Sequence, residues 1–223
     1  MRYQLAIFDL DGTILDTLED LADSLNHALA TAGYPKRTLA EVRAFVGNGL
    51  LMLVKRALPA DVSEEVAQEV LKELKAYYKV HCADKTKPYD GVLKMLDALK
   101  EQGMRLAVVS NKADYAVQIL CEQYFGGIFD VTAGEKENVK KKPEPDAVFA
   151  VLDELQTARE YAVYIGDSEV DILTAKNAGV DGIFVDWGFR DADYLKECGA
   201  ENPVSTIEEL QRLLLAGGDD NEG

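Results

Sequence analysis

The sequence predicts an α/β protein, a doubly wound parallel sheet of Rossmann-like type with an inserted α-helical bundle. Three observations lead there. Five short apolar runs rich in Val and Ile are continuous rather than alternating, as strands buried on both faces of a parallel sheet must be. Amphipathic helical patterns separate the last four of these runs. Nearly a hundred residues, mostly helical in pattern, separate the first run from the second, far more than one crossover helix needs.

The first strand is LAIF at 5–8. From 16 to 84 the pattern is helical throughout. Leu18, Leu21, Leu25 and Leu29 form one stripe, Thr38 and Glu41 a capping box, and Ser63 can cap a long helix through Tyr77 and Val80. DKTKPYDG at 84–91 reads as the return linker, with Pro88 and Gly91 as breakers. The expected division is therefore a core of 1–15 and 85–223 and a helical insert of 16–84. In the core, 91–102 should be a helix with Leu93, Leu96 and Leu99 inward and Gly103 as its stop. LAVV at 106–109 is the second strand, 112–125 a helix, and Phe129 to Ala133 a weaker third strand. A helix over 145–156 places Pro145 in its first turn. YAVYI at 161–165, a helix over 168–178 and GIFV at 182–185 follow. Residues 205–209 offer a capping box for a last helix to about 216, before a frayed tail, GGDDNEG.

Composition narrows the function. The chain has 223 residues, enough to bury a substantial core. Its 40 acidic and 24 basic residues leave a net charge of −16, which argues against general nucleic-acid or anionic-membrane binding. Cys82, Cys121 and Cys198 form no pair motif, so reduced thiols are expected, and none has Arg six residues on as a cysteine phosphatase would. With only His27 and His81, a histidine-based metal site has little to draw on. The N-terminal apolar run is too short for a signal peptide and no run approaches a membrane span, so a cytoplasmic location is expected.

In an open parallel sheet, ligands bind beyond the carboxyl ends of the strands. FDLDGT at 8–13 lies there on the first strand, with Asp9 and Asp11 on one face if the strand persists that far. The second strand ends in Ser110-Asn111-Lys112. KKKPEP follows the third, with Lys142 directly before Pro143, and the fourth ends in GDSEVD with Asp167 and Asp171. Four carboxylates, a hydroxyl and a lysine thus converge on one sheet edge. Two unit charges about 4 Å apart repel by about 4 kcal/mol at an effective dielectric near 20. A cation, or protonation, must relieve them, and oxygen-only ligands favour a hard ion, Mg²⁺ first. Mg²⁺ with Lys142 would make this acidic edge a site for a phosphate dianion. FDLDGT alone also fits a structural turn, but the EF-hand reading fails because Ile14 stands where a calcium loop needs Gly.

Taken in order, FDLDGT, VVSNK, KPEP and GDSEVD resemble the motifs of the haloacid dehalogenase-like phosphatase superfamily, over nearly the whole chain. The resemblance implies a helical cap inserted after the first motif, and these roles. Asp9 would be the nucleophile and Asp11 the general acid and base, its backbone carbonyl also a metal ligand. Gly12 would allow a tight turn and Thr13 would support the phosphate loop. Ser110 and the Asn111 backbone N–H would hold a phosphoryl oxygen. Lys142 would screen nucleophile and phosphate. Asp167 would bind Mg²⁺, and Asp171 would position a metal-bound water or Lys142, with Glu169 as an alternative. Lys112 reads as a solvated helix-start residue, like Lys140 and Lys141. Trp187, Phe189 and Arg190 read as packing residues.

Among related chemistries, Asp11 argues against a dehalogenase. Lys55 is available for a phosphonate hydrolase, but nothing marks it. A sugar phosphomutase of the β-phosphoglucomutase type is the runner-up; a pyrophosphatase or nucleotidase would also suit the fold. A phospho-receiver module needs only about half this length. FVGNGL at 45–50 resembles phosphoglycolate phosphatases, with Asn48 of Gly47-Asn48-Gly49 reaching a small substrate or merely turning the chain between helices. The expected partner is a small phosphorylated metabolite, 2-phosphoglycolate first.

Overall fold

The computed structural model describes residues 2–216; the GGDDNEG tail lies outside them. The chain forms two compact units, one up to Ile14 and again from Pro88, the other Leu15–Lys87. In order, β1 (Leu5–Phe8) is followed by a short β2 (Leu15–Asp16), then α1 (Leu18–Thr31), α2 (Leu39–Phe45), α3 (Leu50–Ala57) and α4 (Glu64–His81). A short β3 (Lys87–Pro88), hydrogen-bonded to β2, leads to α5 (Val92–Glu101), β4 (Arg105–Ala113), α6 (Asp114–Phe125), β5 (Val131–Glu135) and α7 (Asp146–Glu154). Last come β6 (Ala162–Gly166), α8 (Glu169–Ala178), β7 (Asp181–Phe184), α9 (Ala192–Glu197) and α10 (Ile207–Leu215).

The larger unit is a five-stranded, all-parallel sheet in the order β5-β4-β1-β6-β7. The chain winds from β1 to one edge and then returns to the other side of β1. The order therefore reverses beside β1, and a crevice opens at the strands' carboxyl ends there. Every residue of β1 is buried, as its unbroken apolar run requires. Phe8 pairs with Val108 and with Ile165, and the Asp9 N–H donates to Ile165 O at 2.8 Å. Asp9, just past β1, is thus level with Val109 inside β4 and with Gly166 at the end of β6.

Three local expectations change. The inward stripe of α5 is Val92, Met95, Leu96 and Leu99, at i, i+3, i+4 and i+7, while Leu93 faces out. Strand β4 continues through Ser110, Asn111 and Lys112, with a register shift before Ala113, so α6 begins only at Asp114. Pro145 is the N-cap of α7 rather than part of its first turn. Helix α9 was absent from the sequence reading: it is short, and the Asp191 carboxylate caps it through the Tyr194 N–H at 2.9 Å.

The smaller unit is built on α1 and α4, with Leu21, Leu25 and Leu29 of α1 and Val70, Leu71 and Leu74 of α4 buried. Thr38 and Glu41 form the capping box of α2, and the Ser63 hydroxyl accepts from the Val66 N–H. The buried Asp20 carboxylate receives the backbone N–H groups of Lys85 and Thr86 at 2.8–3.0 Å, pinning the return segment to α1. No helix among the described residues is long and apolar enough to cross a membrane.

Candidate active site

Four of the anticipated side chains meet at the carboxyl ends of β1 and β6. Lys142 reaches this place from the loop between β5 and α7, and its ammonium is buried. It lies 2.8 Å from Asp171 Oδ1, 2.9 Å from the Tyr164 hydroxyl and 3.0 Å from Asp9 Oδ1. Asp9 Oδ1 also accepts from the Leu10 N–H at 2.7 Å. Asp9 Oδ2 is therefore the oxygen with no hydrogen-bond partner among the described residues.

Asp167 directly follows β6 and is buried. Its Oδ1 accepts from the Thr13 hydroxyl at 3.1 Å and its Oδ2 from the Phe189 N–H at 2.7 Å. Gly12 has φ +83°, and a Cβ there would fall inside the Asp167 carboxylate. Gly188, beside Phe189, lies against the same carboxylate and against Gly12 O. Thr13 thus supports Asp167; its carbonyl also accepts from Trp187 Nε1 at 3.1 Å.

Asp171 sits in the first turn of α8, fully buried. Its Oδ2 accepts from the Ser168 hydroxyl at 2.6 Å and from the N–H groups of Ser168 and Asp167 at 3.1 and 3.2 Å. With Oδ1 on Lys142, Asp171 anchors both Lys142 and the β6–α8 turn. Glu169 turns away to Arg190 at 3.0 Å.

Asp9, Asp167 and Asp171 each place a carboxylate oxygen within 4.8 Å of the others. Burial pushes the Asp9 carboxyl up to about 7 against the pull of Lys142. Burial, then the charges of Asp171 and Asp9, holds Asp167 well above the ordinary carboxylate range. Burial works to lower the Lys142 ammonium, but Asp171 and Asp9 outweigh it and hold the group well above its usual value. One ammonium does not offset three buried carboxylates. The cluster suits a hard divalent cation: its donors are all carboxylate oxygens, and the protein contacts of Asp9 among the described residues fall on Oδ1.

Asp11 stands apart from this cluster. Beyond Phe8 the backbone leaves the regular ladder, and the side chains of Asp9 and Asp11 go to different lysines. The Asp11 partner is Lys112, whose ammonium lies 2.7 Å from Asp11 Oδ1 and is buried. Reading Lys112 as a solvated helix-start residue was wrong. It lies within β4, beside β1, and needs a counter-charge where it is. Lys140 and Lys141 are exposed.

Ser110 is buried beside the register shift in β4, its hydroxyl accepting from the Lys112 N–H at 3.3 Å. Asn111 Nδ2 donates to Lys142 O at 3.1 Å, and its Oδ1 is buried without a hydrogen-bond partner among the described residues. Asn48 lies in the turn between α2 and α3 of the smaller unit, and its Oδ1 accepts from Arg56 at 2.7 Å. Lys55, in that unit, pairs with Glu64 at 2.7 Å.

Tyr164 is the residue that sequence reasoning missed. It was counted among the apolar residues of β6, yet its buried hydroxyl accepts from Lys142 and lies 3.2 Å from both Val109 O and Asp171 Oδ1. The only signal was a polar tip in a strand buried on both faces.

A family model described as haloacid dehalogenase-like hydrolase matches residues 6–185. The chain is 36% identical to a phosphoglycolate phosphatase from Psychrobacter arcticus over 225 residues, covering 96% of this chain and 95% of that one. It is 34% identical to one from Pseudomonas syringae pv. tomato, covering 95% of this chain and 78% of that one. A crystal structure from Lactobacillus delbrueckii subsp. bulgaricus, provisionally named a phosphoglycolate phosphatase, superposes with a TM-score of 0.94 at 39% identity. It covers 97% of this chain and all of that one.

Proposed function

The chain belongs to the haloacid dehalogenase-like hydrolase family, and on that premise we propose that it is a phosphatase of small phosphorylated metabolites, with 2-phosphoglycolate as the leading substrate. The reaction class rests on the family and on the names of the relatives. The substrate rests on those names alone.

One observation carries the mechanism: Asp9 is held at Oδ1 by Lys142 and Leu10 N–H, leaving Oδ2 free to attack. In the first step Oδ2 forms a bond to phosphorus while the bond from phosphorus to the leaving oxygen breaks in line. Asp11 delivers a proton to that oxygen as its electron pair arrives. In the second step Asp11 takes a proton from water, the water oxygen bonds to phosphorus as the Asp9 Oδ2–P bond breaks, and its electron pair returns to the Asp9 carboxylate as inorganic phosphate leaves. Ser110 and the backbone at Asn111 hold the phosphoryl oxygens, and Lys142 offsets charge on the nucleophile and the phosphate. Thr13, Phe189 N–H and Gly12 fix Asp167, and Asp171 fixes Lys142.

Asp9 and Asp167 would hold a Mg²⁺ ion, with the Asp11 carbonyl as a further oxygen ligand. When bound, the ion supplies positive charge against a dianionic phosphoryl group. The smaller helical unit is the cap of this proposal.

The deciding experiment is phosphate release from a panel of phosphorylated metabolites with Mg²⁺, beside an Asp9→Asn control. Expected are turnover of small alkyl phosphates, 2-phosphoglycolate foremost, and none by the variant. Undiminished turnover by Asp9→Asn would refute the assignment of the nucleophile. Turnover that required a sugar bisphosphate would indicate a mutase instead.

A further inference from the structure

We propose that Lys112 is a positioning residue for Asp11, anchoring one of its carboxylate oxygens so that the other is the one presented to the reacting groups. The role rests on the phosphatase reading of Asp11. The observation is the pair itself: Lys112 Nζ lies 2.7 Å from Asp11 Oδ1, with the side chains only 4% and 17% exposed. An exposed lysine–carboxylate pair holds little geometry, since side-chain entropy and solvent offset it. A buried one is costly to separate, because either charge alone would be stranded away from water. Lys112 is also placed by rigid backbone. It lies within β4, next to β1, and its own N–H is held by Ser110 Oγ at 3.3 Å.

The chemistry follows from the donor inventory. An ammonium has three donors and no acceptor, so the oxygen it binds does not also carry a proton directed at it. With Oδ1 held by Lys112, Oδ2 is the Asp11 oxygen left to exchange a proton with the leaving group and with water. In the transfer, the Oδ2–H bond breaks and its proton goes to the leaving oxygen. That oxygen receives the electron pair of the breaking P–O bond, while Asp9 Oδ2 bonds to phosphorus. Asp11 is left as a carboxylate still held at Oδ1, with Oδ2 oriented to take the next proton from water. Without Lys112 the carboxyl can rotate and present either oxygen, and the alignment that makes general acid catalysis effective is lost.

The test uses leaving-group dependence. An alkyl phosphate needs its leaving oxygen protonated, whereas p-nitrophenyl phosphate expels a stable phenolate and does not. We compare kcat/KM for p-nitrophenyl phosphate and for the alkyl phosphate that the wild type hydrolyses fastest, both with Mg²⁺. The proteins are wild type, Lys112→Met, Asp11→Asn and the double variant. Lys112→Met should lower the alkyl value by about 30-fold and the aryl value by less than about threefold, a part of the usual general acid contribution. The ratio of the two substrates within one preparation does not depend on the folded fraction. The double variant should be no more selective than Asp11→Asn, since both changes act through one group. Equal loss on both substrates in Lys112→Met, with Asp11→Asn still selective, overturns the role of Lys112 and leaves Asp11 as the acid. Multiplied selectivities in the double variant overturn it likewise. Equal loss on both substrates in Asp11→Asn removes the general acid reading itself, and the positioning role with it.

Discussion

Replacing Lys142 by Met keeps the stem of the side chain and removes its charge from between Asp9 and Asp171. The ammonium sits 2.8 and 3.0 Å from two carboxylate oxygens. At an effective dielectric near 20, each contact amounts to about 6 kcal/mol of attraction. Desolvating the ammonium offsets much of this, and removing one member of such a buried pair costs about 3–5 kcal/mol. For a chain of this size that lowers Tm by roughly 10 °C. The pH dependence has a definite sign. The folded pKa of Asp9, about 7, lies above its unfolded value, so the stability its proton contributes is present at low pH and is lost as pH rises through 7. In the variant the pull of Lys142 is gone, the folded pKa rises further, and ionising Asp9 costs more. Lys142 itself is raised above its usual value, so it stays charged throughout this window. The deficit should therefore grow between pH 5.5 and pH 8. Urea unfolding of both proteins in EDTA at the two pH values measures it. A deficit below about 1 kcal/mol, or one equal at both pH values, would refute the account of Lys142 as the counter-charge of this cluster.

Chelation with EDTA should abolish phosphate release and Mg²⁺ should restore it. Full turnover after divalent ions are stripped would end the metal proposal. In the absence of substrate, millimolar Mg²⁺ should raise Tm more at pH 8 than at pH 5.5, because Asp9 ionises between them and binding stabilises the folded state; differential scanning fluorimetry reads this directly. Gly12→Ala should lose activity and at least about 2 kcal/mol of stability, since φ +83° strains an L-residue and the new methyl meets Asp167. Unchanged phosphate release and Tm would contradict that. Asp20→Ala leaves the Lys85 and Thr86 N–H groups without their acceptor and should cost about 2–3 kcal/mol in chemical denaturation. A change within about 0.5 kcal/mol would show the link to be dispensable.

Much of this molecule is local in origin. Leu5–Phe8 can only be a doubly buried strand, because an unbroken apolar run has no face to offer water. Strands alternating with amphipathic helices can wind only one way, so their carboxyl ends collect at one edge. That is why Asp9, Asp167 and Asp171 could be placed together from sequence: each stands at a strand end or one helical turn beyond it. Glycine had a local reason as well, since DG suits a turn, but only the folded chain showed that Asp167 occupies the space a Cβ would need.

The pairing of charges was decided by tertiary structure. Asp11 and Lys112 are 101 residues apart, and no local rule matches them. They meet because β4 lies beside β1 and continues past Val109 instead of yielding to a helix. Tyr164 is similar: a strand pattern registers its ring as apolar, while its hydroxyl finds Lys142 from a loop 22 residues earlier. Leu93 shows the same limit in packing, since three leucines spaced by threes suggest a stripe whose angle only the sheet fixes. Sequence by itself determined the five strands of the parallel sheet, most of the helices and which edge carries the acids, because those follow from periodicity and chain direction. Only the tertiary structure decided which lysine neutralises which aspartate, because a buried charge takes the partner that packing brings within 3 Å, whatever lies near it in sequence.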